Sequence, residues 1–196
     1  KPEGDKVMRM SAQTAKIDTL LAKKRQFIAK LEEKRSALIA RTVTRGLPHD
    51  AAQAAGLEPH PAMKDSGVEW LGSTPATWHI ERLRRICHRV TDGAHISPDL
   101  SADDFPFIST VDIRDGKINM SECLRTSREC YDYLVRTGCK PFIGDVLFSK
   151  DGTVGRTAVV DFDADFVVAS SLVIISPDRK LLDTGFLDYW LNNNLL

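Results

Sequence analysis

Residues 14–46, TAKIDTLLAKKRQFIAKLEEKRSALIARTVTRG, contain no proline, and no glycine before Gly46. Ala, Leu, Lys, Arg, Gln and Glu, the residues that lose least on entering a helix, fill most of the stretch. One long helix follows. The apolar residues Ile17, Leu20, Leu21, Phe27, Ile28, Leu31, Leu38 and Ile39 recur at spacings that gather them on one stripe, while lysines and arginines take the other faces. From Ser11 to Arg45 such a helix is about 50 Å long at about 1.5 Å per residue. A pattern sustained beyond about 25 residues belongs to a coiled coil, a membrane span or a repeat, and here the charges exclude the span. The stripe is therefore read as a coiled-coil seam that requires a partner.

Both ends of the helix carry signals. Ser11 is a suitable N-cap, Gly46 followed by Pro48 is a stop, and Arg41 and Arg45 sit favourably against the helix dipole. Residues 1–10, KPEGDKVMRM, are polar and hold Pro2 and Gly4, so a disordered lead-in is expected there. Within 14–46 there are nine basic residues against three acidic ones, whereas the whole chain, with 27 of each, is neutral. The helix is the basic part of a neutral protein. A solvated polar face around a seam is favoured over a face that tracks DNA. A chain of 196 residues allows one domain of ordinary size plus a helix too long to lie inside it.

Cys87, Cys123, Cys130 and Cys139 show no C-x-x-C spacing, and His49, His60, His79, His88 and His95 form no ligand pattern with them. No metal site is expected. There is no signal peptide and no apolar run of about 20 residues, so the chain reads as cytoplasmic, with reduced thiols and no membrane partner.

Beyond the helix, residues 47–77 read as a linker. A short helical patch at 49–55 ends at Gly56, after which Pro59, Pro61, Gly67, Gly72 and Pro75 break regular structure. Trp70, Leu71 and Trp78 are expected to pin this linker against a neighbouring surface. From residue 80 the period becomes that of strands. Strands are expected at 80–90, 105–113, 146–149, 157–160 and 166–175, with a hairpin return at 117–124 after Asp115-Gly116. The run FVVASSLVII at 166–175 is the strongest strand signal and is expected to form an edge. Short helices are expected at 127–134 and 184–196. The fold class is α+β, a long coiled-coil-type helix followed by a mixed α/β domain, with boundaries at 1–10, 11–46, 47–77 and 78–196.

Two loops have chemical interest: Asp92-Gly93-Ala94-His95, and Lys150-Asp151-Gly152-Thr153-Val154-Gly155-Arg156. The second offers backbone N–H groups and cations suited to phosphate. It lacks the Walker spacing, because Gly152 and Gly155 are too close together, and a hairpin turn with solvated charges accounts for the same residues. No nucleophile or second carboxylate stands at a defined spacing, so no catalytic residue is assigned and the chain is read as non-enzymatic.

Three blocks in order, the helix text TAKIDTLLAKKRQFIAKLEEKRSALIARTVTRGL, the linker text MKDSGVEWLGSTPATW and the run GDVLFSKDGTVGRTAVV, resemble the specificity subunit of type I restriction-modification systems. The resemblance extends from about residue 14 to the C-terminus. It implies that the helix belongs to a conserved spacer region and that residues 78–196 are part of a target recognition domain that reads double-stranded DNA in the major groove. It further implies that the chain docks methyltransferase subunits and, through them, the restriction subunit. S-adenosylmethionine would be bound by the methyltransferase partners, and no cofactor is expected in this chain.

The resemblance implies two recognition domains held apart by two antiparallel helices, against which one helix and one domain, incomplete at its C-terminus, are expected here. An antiparallel homodimer through the seam would recreate the two-helix spacer. For DNA contact the candidates are Asp92, His95, Ser109, Thr110, Arg114, Lys150, Thr153 and Arg156, at the loop and the ends of the preceding strands. The alternative function is that of a truncated interaction protein, which captures methyltransferase or other specificity subunits through the helix and reads no DNA.

Overall fold

The computed structural model describes residues 2–192 and has the expected α+β architecture. The first helix, α1, spans Pro2–Arg45. It starts well before Ser11, so residues 2–10 of the expected lead-in are helical; residue 1 of that lead-in, and residues 193–196 of the helix expected at 184–196, lie outside the described residues. Proline at the first helical position loses no hydrogen bond, since the N–H it lacks would be unpaired there anyway. At 44 residues α1 is about 65 Å long. It ends where expected: Gly46 takes a φ of 83°, and its N–H donates to the Thr42 carbonyl at 3.0 Å.

Among the described residues, α1 is anchored at its C-terminal end. Val43 is buried, Ile39 is half-buried, and Gly46 lies against Pro75. Burying one valine contributes about 1.5–3 kcal/mol. By contrast, the exposures of Ile17, Leu20, Leu21, Phe27, Ile28, Leu31 and Leu38 range from 43% to 64%. The stripe is open along most of the helix.

The linker holds more structure than its prolines and glycines suggest. Helix α2 (His49–Ala54) is followed by an antiparallel hairpin of β1 (Met63–Asp65) and β2 (Ser73–Pro75), whose loop contains Gly67 and Gly72 at positive φ. Those glycines form the turn that lets the strands meet. Trp78 is half-buried and meets Phe186 of the last described helix, α5 (Thr184–Leu191), edge-on at 5.8 Å, while Trp70 lies 6.1 Å from Trp190 but stays 54% exposed, so the contact with α5 is made chiefly through Trp78.

The expected strand at 80–90 is a short helix, α3 (Leu83–Ile86), leading into β3 (Cys87–Asp92). Next come β4 (Phe105–Ile108), a 3-10 turn (Thr110–Asp112), β5 (Ile113–Arg114), β6 (Lys117–Ile118) and β7 (Leu124–Thr126). The expected strand at 105–113 is thus interrupted, because Ser109 and Asp112 close a capping box around the 3-10 turn. Helix α4 (Arg128–Arg136) follows with Ser127 as its N-cap. Strands β8 (Val146–Ser149), β9 (Thr157–Val159), β10 (Val167–Val168) and β11 (Leu172–Pro177) complete the sheets.

One sheet has the order β3-β11-β8-β9 and is antiparallel throughout; another has the order β10-β4-β7, with β10 parallel to β4. The 166–175 run is therefore two strands in different sheets. Its small Ala169-Ser170-Ser171 segment turns the corner, with the Leu172 N–H donating to the Ala169 carbonyl at 2.9 Å. Nor is the run an edge throughout: β11 lies between β3 and β8, and Leu172 and Ile174 are fully buried.

Side chains on the four-stranded sheet alternate between two cores, as the strand period demands. Leu147, Leu172 and Ile174 join Ile108, Ile113, Val168 and Phe166 on one face. On the other, Val146 and Ile175 pack with Leu187 and Leu191 of α5. The segment after β3 packs tightly against the one after β10 at Gly93, where an added Cβ would stand 2.2 Å from the Ala169 carbonyl oxygen. Arg89 ties β3 to the start of β8 through the buried Asp145 carboxylate at 2.8 Å, and also donates to the Gly138 and Lys140 carbonyls.

Candidate nucleic-acid interface

The loop between β8 and β9 is knotted by Ser149, which has no exposed surface. Its hydroxyl donates to the Thr153 carbonyl at 2.6 Å and accepts from the Arg156 N–H at 2.8 Å, while its carbonyl accepts from the Gly155 N–H at 3.0 Å. Gly152 and Gly155 supply the left-handed turns at φ of 73° and 91°. Thr153, Val154 and Arg156 are consequently held on the outside of a fixed loop.

The segment after β4 is fixed in a similar way. The Asp112 carboxylate, 8% exposed, accepts from the Ser109 N–H at 2.8 Å and from its hydroxyl at 2.9 Å. Thr110 joins the two loops: its hydroxyl lies 3.3 Å from both the Asp151 and Ser171 carbonyls, and its N–H donates to the Ser171 hydroxyl. Thr110 is therefore buried, as a pin between segments rather than a surface contact. Ser109 is likewise committed to Asp112.

Both arginines rest on the same short stretch of main chain. Arg114 Nε donates to the Val111 carbonyl at 3.2 Å, and Arg156 Nη1 donates to the Ile113 carbonyl at 3.2 Å. Among the described residues, the Nη1 and Nη2 groups of Arg114 and the Nε and Nη2 groups of Arg156 have no other partner, so each guanidinium keeps one two-donor edge free. Such an edge matches the two acceptors of a carboxylate, a phosphate or a guanine. Val111 and Val154, absent from the sequence-derived candidates, stand beside these arginines at 65% and 63% exposure. In the sequence Val154 is an apolar residue inside a polar loop, whereas Val111 falls within the expected strand at 105–113 and carries no signal of exposure.

A second cluster gathers Asp92, His95 and Lys150. Lys150 Nζ lies 2.6 Å from Asp92 Oδ2, and His95 Nε2 lies 3.3 Å from the same oxygen. The Lys150 ammonium holds the Asp92 carboxyl below the usual carboxylate range, against a smaller opposing effect of burial, and His95 adds to the depression. Lys150 is thus charge-compensated, unlike Arg114 and Arg156.

Of the eight candidates, then, Arg114, Thr153, Arg156 and His95 are exposed, Lys150 pairs with the Asp92 carboxylate that His95 also approaches, and Ser109 and Thr110 hold the loops. A separate apolar cleft of about 960 Å³ lined by Trp70, Trp78 and Trp190 shares no residue with these loops. Among the described residues there is no group of three His, Cys, Asp or Glu side chains arranged to hold a metal, and no helix long and apolar enough to cross a membrane.

No protein-family model matches the sequence. The type I restriction enzyme EcoBI specificity subunit of Escherichia coli is 26% identical over 117 residues, which are 60% of this chain and 23% of that protein. The chain thus spans about a quarter of the length of the curated relative it matches. Among solved structures, the HsdS subunit from Thermoanaerobacter tengcongensis aligns with 92% of this chain and 39% of its own, at 20% identity and a TM-score of 0.48. A structure described as explaining complex assembly and conformational transition of the type I R-M system aligns over the same shares, at 19% identity and a TM-score of 0.45. By its sequence, the chain is related over part of its length to the specificity subunits of type I restriction-modification systems.

Proposed function

We propose that the chain is a DNA-recognition module of the type I specificity-subunit kind, in which the loops around Arg114 and Arg156 read double-stranded DNA. The observation that carries this reading is the pair of arginines on two touching loops, each braced by a main-chain carbonyl and each keeping a two-donor edge free. An arginine presented this way fits the O6 and N7 acceptors of guanine in the major groove. Thr153 and the cluster of Lys150, Asp92 and His95 flank it, as candidates for phosphate and orienting contacts.

In this reading residues 78–196 form the recognition domain, residues 47–77 the connector, and α1 the spacer. The length of α1, about 65 Å, corresponds to about two turns of B-DNA. Its apolar stripe would take a methyltransferase subunit, which brings S-adenosylmethionine and connects to the restriction subunit, or a second copy of this chain in antiparallel register. Two such domains would address the halves of a split site. The chain itself performs no chemistry, and its place is the cytoplasm. The relationship to a specificity subunit supports this division of labour.

A second reading is favoured by one feature, the open stripe of α1: an interaction protein that captures its partners by the helix and reads no DNA. Electrophoretic retardation separates the two. The chain, alone or with its methyltransferase partner, should retard a preferred duplex at concentrations that leave a scrambled one free. Equal retardation of both in either state leaves the interaction reading standing.

A further inference from the structure

Val111 and Val154 are unexplained by packing. Neither belongs to any of the three cores, and each is exposed by more than three-fifths of its surface. An isolated exposed valine is ordinary. These two, however, sit at the tips of two loops joined through Thr110 and Asp151, and both tips are fixed. Val111 lies between the buried Thr110 and Asp112 of the capping box. Val154 lies between Thr153, whose carbonyl accepts the Ser149 hydroxyl, and Gly155, whose N–H donates to the Ser149 carbonyl.

The two loops that carry the valines also carry the two guanidinium groups. The Val111 carbonyl holds Arg114; Arg156, two residues after Val154, reaches back to the carbonyl of Ile113, two residues after Val111. Among the four bases only thymine presents a methyl group in the major groove, and guanine presents the acceptor pair suited to arginine. A rigid, branched, apolar tip beside a guanidinium edge matches a methyl beside an acceptor pair.

We infer that Val111 and Val154 are specificity-determining residues that contact thymine C5-methyl groups, so the sequence read places thymine next to the guanines contacted by Arg114 and Arg156. The inference rests on the DNA-recognition reading above and adds the base class.

The test begins with a preferred duplex selected from a random synthetic library, in which thymine is the only source of a C5-methyl group. Each thymine is then replaced singly by deoxyuridine, which removes the methyl and leaves the base pairing and O4 intact. At one or more positions the unaltered chain should lose affinity by about fourfold, the worth of one methyl group taken out of water. Val154→Ala or Val111→Ala should bind the thymine duplex more weakly by a similar factor and lose the response to deoxyuridine at the thymine it contacts, with a smaller loss of affinity for a scrambled duplex.

A selected duplex whose deoxyuridine forms all bind equally well overturns the methyl assignment alone. So does a deoxyuridine effect that persists undiminished in both valine variants. Failure to select any preferred duplex overturns the assignment together with the recognition reading on which it rests.

Discussion

Replacing Ser149 by alanine should unlock the β8–β9 loop without disturbing the sheet behind it. The hydroxyl makes two hydrogen bonds, to the Thr153 carbonyl at 2.6 Å and from the Arg156 N–H at 2.8 Å, from a site with no exposed surface. Each such bond contributes about 0.5–1.5 kcal/mol net, so Ser149→Ala should cost about 1–3 kcal/mol. Thr153 and Arg156 are exposed residues, and water can replace part of what their main chain loses; the lower half of that range is expected. With a urea dependence of about 2 kcal/mol per molar, the midpoint should fall by about 0.5–1 M at unchanged slope. Thr157, next in line on β9, provides a control. Its hydroxyl is buried and has no partner among the described residues, so Thr157→Val should leave the midpoint unchanged or raise it. A Ser149→Ala midpoint equal to that of the unaltered chain, or a Thr157→Val loss as large as that of Ser149→Ala, would refute the hydrogen-bond account of the loop.

Asp145→Ala leaves the Arg89 guanidinium without its buried carboxylate and should cost about 3–5 kcal/mol in urea unfolding, with Arg89→Ala and the double variant giving the coupling between them. Gly93→Ala brings a Cβ to 2.2 Å from a carbonyl oxygen of the neighbouring strand connection; the variant should lose tens of degrees in melting temperature or fail to fold, as read by circular dichroism. The Asp92 carboxyl is lowered in the folded state, first by its hydrogen bond from Lys150. Its contribution is therefore fully present above the unfolded value, about 3.9, and is lost as pH falls through the lower folded value. Unfolding midpoints followed downward from neutral pH should decline less steeply below about pH 4 in Lys150→Met than in the unaltered chain; parallel curves would contradict the pairing.

What the sequence reveals here depends on how local the physics is. The long helix is legible because an unbroken run of good helix formers with apolar residues at helical spacing leaves few alternatives, and Gly46 with Pro48 marks its end. Its start was hidden by Pro2 and Gly4, which look like breakers but are tolerated where a helix begins. The β1–β2 hairpin was hidden because its strands have three residues each and its glycines serve the turn. The 166–175 run looked continuous because Ala-Ser-Ser is compatible with a strand; only the pairing of its two halves with different sheets shows the corner.

The candidate site divides along the same line. Lys150 to Arg156 stands out by its glycines and cations. That Lys150 is compensated by Asp92, 58 residues earlier, and that Thr110 is buried by an interaction 61 residues away at Ser171, are consequences of tertiary pairing. The capping box of Ser109 and Asp112 lies inside what the sequence presents as a strand, and so it was not read there. Val111 and Val154 acquire meaning only once their loops are brought together.

The central claim is that the braced arginines read bases. Its most direct measurement compares, at matched salt, the affinities of the unaltered chain and Arg156→Ala for a selected duplex and for a scrambled one, with the methyltransferase partner present. A bidentate guanine contact is worth about 1–3 kcal/mol of discrimination, so Arg156→Ala should lose about 5–150-fold on the selected duplex and only a few-fold on the scrambled one. Equal losses on both duplexes, or no loss on either, would contradict the account.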